Sequence, residues 1–123
     1  MSEKDSNKKS KLQLNKIYYI YIIKCIDEVL YTGITTDYKR RFNEHVNATI
    51  NKKGAKFTRF HKPKSIVALW TTKTRSEASK LEIRIKQLSR DEKDKLINDN
   101  TYFKEFFATL VDCRKFRRLK ISL

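Results

Sequence analysis

Five side chains in this 123-residue sequence have types and spacings that could act on a phosphate ester. Tyr21 and Tyr31 stand ten residues apart in two short segments rich in β-branched and aromatic residues. Arg41 and His45 follow, one helical turn apart, and Glu82 comes later between Leu81 and Ile83. A guanidinium is a planar fork that matches phosphate oxygens in pairs. An imidazole can donate a hydrogen bond to a phosphate or take a proton. A lone carboxylate beside a phosphate suits magnesium, a hard cation that keeps most of its waters and takes one or two protein carboxylates. A phenol works as a base near neutral pH only with a nearby cation or relay, because its ordinary pKa is about 10.

Each of these residues also has a plain structural reading. Tyrosine is a common strand residue and usually packs. Arg41 could pair with Asp37 on the surface, a contact worth less than about 1 kcal/mol. His45 reads as a solvated helix histidine. Glu82 could pair with Lys86 one turn on, and Glu77, a first-turn residue that favours a helix N-terminus, competes with it as a carboxylate.

The elements that must position these groups are legible. Ile17 to Cys25 reads as one strand and Val29 to Thr35 as a second, with Asp27-Glu28 in the turn. So short a connection makes an antiparallel hairpin. Tyr19, Tyr21 and Ile23 share one face of the first strand, and Tyr31, Gly33 and Thr35 one face of the second. Gly33 leaves its face bare, where a substrate backbone could come close. A two-residue turn would pair Lys24 with Tyr31 and send Tyr21 to the opposite face. One shared site therefore predicts an odd-numbered loop or a bulge in this hairpin.

Thr36 or Asp37 caps a helix that runs to about Ala48. Its buried stripe is read as Tyr38, Phe42 and Val46, with Arg41 and His45 on a neighbouring face. Thr49 to Lys64 is a basic loop, and Ser65 to Thr72 a third strand. A helix follows from Ser76 to Leu88, then a shorter one announced by the Ser89–Glu92 capping box, then one from Tyr102 to Val111. This order predicts an α+β fold, a small three-stranded, mainly antiparallel sheet flanked by helices. The expected organisation is a disordered tail over 1–16, one domain over 17–112 and a basic C-terminal tail over 113–123.

The formal net charge of +15 is unevenly spread, since no acidic residue lies between His45 and Ser76. Lys52, Lys53, Lys56, Arg59, Lys62 and Lys64 fall in that window, and Arg114, Lys115, Arg117, Arg118 and Lys120 crowd the C-terminal end. Blocks of this kind favour a polyanion, above all nucleic acid. Phe57 and Phe60 in the basic loop could stack on bases. No run of about 18 apolar residues marks a membrane span, and the N-terminus does not read as a secretory signal. Cys25 and Cys113 are too few and too far apart for a disulfide framework or a CxxC metal site. The expectation is a cytoplasmic or nuclear protein that does not engage membranes.

Tyr19-Ile20-Tyr21 and Tyr31-Thr32-Gly33, with Arg41, His45 and Glu82 in order, carry a resemblance. So do Gly54 to Arg59 (GAKFTR) and Ile85 to Ser89 (IKQLS). Over roughly Ile17 to Leu88 the sequence resembles the GIY-YIG endonuclease superfamily, in particular its small single-domain members. Tyr19 replaces the usual glycine of the first motif, a backbone position. The resemblance implies hydrolysis of a nucleic-acid phosphodiester, DNA before RNA, by in-line attack of water with one divalent ion, Mg2+ or Mn2+. DNA repair or recombination is the setting it suggests. Tyr31 would be the base, with Tyr21 beside it and His45 assisting or competing. Arg41 would stabilise phosphoryl charge, and Glu82 would hold the metal. Gly33 and the loop cations would contact the nucleic acid. Two alternatives stay open: a non-catalytic binding or adaptor module on the same fold, and a catalytic subunit that needs a protein partner for targeting.

Overall fold

The computed structural model describes residues 16–48 and 60–121. The first hairpin is β1 (Tyr18–Cys25) and β2 (Leu30–Thr35). Its loop is the three residues Ile26, Asp27 and Glu28, closed by Cys25 N–H donating to Val29 O at 2.9 Å and Glu28 N–H to Cys25 O at 3.0 Å. An odd loop is what a shared tyrosine face demands. Glu28 takes the left-handed conformation that completes such a loop, with φ 69. That position favours glycine, so outside contacts help hold it: Arg90 donates to the Glu28 carbonyl at 2.6 Å.

Helix α1 (Tyr38–Val46) follows, capped by the Asp37 side chain, which accepts from Arg40 N–H. Next come β3 (Pro63–Thr72), α2 (Arg75–Lys86), α3 (Arg90–Asn98) and α4 (Tyr102–Phe107). Thr74 caps α2, and the Ser89–Glu92 capping box opens α3. Helix α4 stops four residues before the expected Val111. Leu110 and Val111 both donate to Phe107 O in tight turns, which buries Val111 and leaves Leu110 exposed.

Among the described residues the sheet has four antiparallel strands, not three, in the order β2-β1-β3-β4. The added strand, β4, is Arg117–Arg118. Two arginines in a basic stretch carry no β signal. Their pairing is decided by tertiary contacts. Arg118 stacks over Trp70 at 5.0 Å and donates to the carbonyls of Leu96 and Ile97 near the end of α3. Asn100 links the group, accepting from Trp70 Nε1 at 2.9 Å and from Arg118 at 3.3 Å.

Strand alternation splits the core in two. Ile20, Ile22, Ala68 and Trp70 face α2, α3 and α4, meeting Leu81, Ile85, Leu96, Phe103 and Phe107. Tyr21, Ile23, Cys25, Ile66 and Leu69 face the other way, with Tyr31, Tyr38, Phe42 and Leu119 packed on them. The β1–β3 register shifts between Ile22 and Ile23, leaving Val67 as an extra residue. That bulge brings Ile66 and Leu69, three apart in sequence, to one face. Cys25 is buried, and both cysteines are free thiols. Among the described residues no helix is long and apolar enough to cross a membrane.

Candidate active site

The site forms on the Tyr21 face of the sheet, under α1. Tyr21 pairs across the hairpin with Gly33, and Ile23 with Tyr31. The bare patch expected at Gly33 is already filled. A Cβ built there would lie 2.6 Å from Tyr21 Cζ, so the missing side chain makes room for the tyrosine ring rather than for a substrate backbone.

His45 is fully buried, not a solvated helix histidine. Tyr38, Phe42 and His45, not Val46, face the sheet from α1, and Val46 is exposed. The imidazole can be buried because its polarity is met: His45 Nε2 and the Tyr21 hydroxyl are 2.9 Å apart. With the His45 proton on Nδ1, the Tyr21 O–H donates to Nε2. Tyr31 completes the aromatic cluster, its ring centroid 5.1 Å from His45 edge-on and 6.2 Å from Tyr21. Tyr31 is only half-buried, so it is the phenol that solvent reaches.

With Asp37 capping α1, Arg41 forms an ion pair with Glu44. Its Nη1 donates to Glu44 Oε1 at 3.1 Å, and its guanidinium also reaches the Tyr21 phenol. Burial, then the neighbouring Tyr31, pushes the Tyr21 pKa above the ordinary phenol value; Arg41 opposes this and Glu82 adds to it. Burial, then the Arg41 charge, pushes His45 down to about 4, with Glu44 opposing. Near neutral pH, Tyr21 is therefore a protonated phenol and His45 an uncharged imidazole.

Glu82 lies on α2 with its side chain partly covered, close enough to Tyr21 to act on its ionisation. Lys86 Nζ sits 3.6 Å from its carboxylate, so the expected one-turn pair is present. Glu77 instead meets Lys115 at 3.5 Å and Lys80 at 3.9 Å. Among the described residues no group of three or more His, Cys, Asp or Glu is placed to hold a metal ion.

A protein-family model described as the GIY-YIG catalytic domain matches residues 17–96. The chain belongs to the GIY-YIG family. A UPF0213 protein of Cupriavidus necator is 43% identical over 82 residues, covering 67% of this chain and 85% of its own length. Another, of Fusobacterium nucleatum, is 35% identical over 105 residues, covering 85% of this chain and 95% of its own. A solution NMR structure of a UPF0213 protein from Bacillus halodurans is 34% identical, spans 77% of this chain and 98% of that one, and gives a TM-score of 0.44.

Tyr21, Tyr31, Arg41 and His45 converge on one cluster, with Glu82 at its border. Of the basic residues read as nucleic-acid contacts, Lys62 and Lys64 are exposed beside and within β3. Lys52, Lys53, Lys56 and Arg59 lie outside the described residues. Phe60, the described one of the two loop aromatics, is 77% exposed. Glu44 was missed in the sequence. Its signal was the three-residue spacing from Arg41, which places the two side chains together on a helix.

Proposed function

We propose that the protein is a metal-dependent endonuclease that hydrolyses phosphodiester bonds in nucleic acid, with DNA as its first substrate. The observation that carries this reading is the Tyr21–His45 contact, with Tyr31 and Arg41 against it. A buried, uncharged imidazole hydrogen-bonded to one phenol and packed edge-on against a second is placed to move a proton.

Arg41 binds the non-bridging oxygens of the scissile phosphate. Glu44 and Tyr21 hold the guanidinium in place, so little reorganisation is needed as charge develops. Tyr31, the accessible phenol, orients the attacking water and takes its proton as its own passes to His45 Nδ1, in the tautomer whose Nε2–H donates to the Tyr21 oxygen. An anionic phosphate beside His45 favours the protonated imidazole and raises its pKa from the low value of the substrate-free site. Tyr21 supports the imidazole from beneath.

Glu82 would hold the divalent ion, Mg2+ or Mn2+. A single partly exposed carboxylate fits such an ion, because substrate phosphate and water supply the remaining oxygens. When bound, the ion supplies charge neutralisation at the phosphate and at the leaving oxygen. Lys86 competes for the same carboxylate, but exposed pairs of this kind are worth roughly 1 kcal/mol or less.

The test is a cleavage assay on single-stranded, duplex and branched DNA and on RNA, with magnesium, with manganese and with chelator. Metal-dependent internal cleavage of at least one DNA form is expected. Binding without cleavage of any substrate would favour the non-catalytic reading.

A further inference from the structure

A groove opens where the end of β3 meets the C-terminal segment. Thr71, Lys73, Arg114, Lys115 and Arg117 line it around a volume of about 480 Å3. A second hollow of about 390 Å3 shares Lys73, Arg114 and Lys115 and runs on to Glu77. Two carboxylates partly offset the cations: Asp112 meets Arg114 at 3.0 Å, and Glu77 meets Lys115 at 3.5 Å. The surplus positive charge rests on Lys73 and Arg117, both exposed.

Strand register places this charge relative to the candidate active site. Arg117 pairs with Thr71, Thr71 with Tyr19, and Tyr19 with Thr35. Directly paired residues share a face, so Arg117 stands on the face of Tyr19 and Tyr21. Its neighbours confirm the alternation: Arg118 lies over Trp70 on the opposite face, and Leu119 packs in the Tyr21 cluster. Strand β4 is two strands from β1, about 10 Å across, and the Tyr19 row is one step, about 7 Å, from Tyr21. Arg117 is therefore about 12 Å from Tyr21, a span of three to four stacked nucleotides at about 3.4 Å each. The segment carrying Arg114, Lys115 and Arg117 lies beyond the residues 17–96 that match the GIY-YIG domain.

We infer that this groove is a second phosphate-binding surface, holding one nucleic-acid strand that passes the half-exposed Tyr19 and Thr71 on its way from Arg117 to Arg41. The inference rests on the nuclease reading and adds where the substrate's flank is gripped. Lysine and arginine side chains there contact successive phosphates without reading bases, so the grip is independent of sequence.

The experiment is equilibrium binding of a single-stranded DNA of about 12 nucleotides, a length within ordinary single-strand footprints. It is run over a salt series in a Glu82→Gln background, so that cleavage does not interfere. The Lys73→Gln/Arg117→Gln double variant is expected to bind about tenfold more weakly. Its log K against log salt slope should be shallower by about 1.4, at about 0.7 per lost phosphate contact. If the double variant loses thermal stability, Lys73→Glu alone, in the turn after β3, tests the same groove. Affinity and slope unchanged in these variants would overturn the groove and leave the nuclease reading standing. A parent protein that binds no nucleic acid would overturn both. Loss of heparin binding with DNA binding unchanged would assign the groove to another polyanion and overturn the inference.

Discussion

The Tyr21 ring lies over Gly33, its cross-strand partner, in the space a β-carbon would need. Gly33→Ala therefore pushes the ring away from His45 or forces the hairpin apart. Overpacking of this kind costs about 1–3 kcal/mol. The expected result is a fall in thermal midpoint of several degrees, at about 4 °C per kcal/mol for a chain of this length, together with loss of cleavage. A midpoint and activity equal to wild type would show that the ring is not fixed by Gly33.

The buried imidazole sets a pH window. The folded-state pKa of His45, about 4, lies below the ordinary value of about 6.5, so the unfolded chain binds more protons between those limits. Stability from this group is full above about pH 6.5 and is lost as pH falls toward 4, by an amount on the order of 3 kcal/mol. Asp27, Glu92, Asp99 and Asp112 have lowered pKa values and act lower on the scale. Tyr21 works at the other end: its raised pKa means that stability declines as pH climbs past the ordinary phenol value. Denaturant titrations from pH 7 to pH 4.5 should show this acid loss in wild type and little of it in His45→Gln. Equal slopes in the two proteins would contradict a buried neutral His45.

Arg41 and Glu44 make a prediction about positioning. Glu44→Gln keeps an oxygen for Arg41 but removes the charge. Both side chains are about a quarter exposed, so stability should change by less than about 1 kcal/mol. The rate of cleavage should fall by roughly tenfold, the scale of one weakened charge-stabilising contact of about 1.4 kcal/mol. Arg41→Lys should lose more, because an ammonium cannot reproduce the fork. Single-turnover rates distinguish these outcomes from a binding defect.

The basic loop makes a separate prediction about affinity. Neutralising Lys52, Lys53 and Lys56 together should weaken nucleic-acid binding and flatten its salt dependence. If affinity and salt slope stay at wild-type values, that patch is only a solvated face.

Much of this architecture could be read from local pattern. The alternation of Tyr19, Tyr21 and Ile23 against Tyr31, Gly33 and Thr35 was enough to demand an odd hairpin loop, which Ile26 to Glu28 supplies. The caps at Asp37 and Ser89 mark helix starts through side-chain chemistry that is local by nature. What escaped depends on partners distant in sequence. His45 looks polar on a helix wheel, yet it is buried because Tyr21, 24 residues away, satisfies its nitrogen. Arg117 and Arg118 become a strand because Trp70, Leu96 and Ile97 hold Arg118 in place. Gly33 reads as an empty patch until the rotamer of Tyr21 is known.

The most direct test of the central claim is cleavage of DNA with magnesium by Glu82→Gln, with binding measured in the same samples. The substitution keeps the side chain's shape and removes the charge that would hold the ion. Loss of the Lys86 contact alone should cost at most a small part of the thermal midpoint. Cleavage is expected to be abolished while affinity stays close to wild type, because the basic surface supplies most of the binding. Cleavage at the wild-type rate in Glu82→Gln, persisting in the presence of chelator, would contradict the central claim.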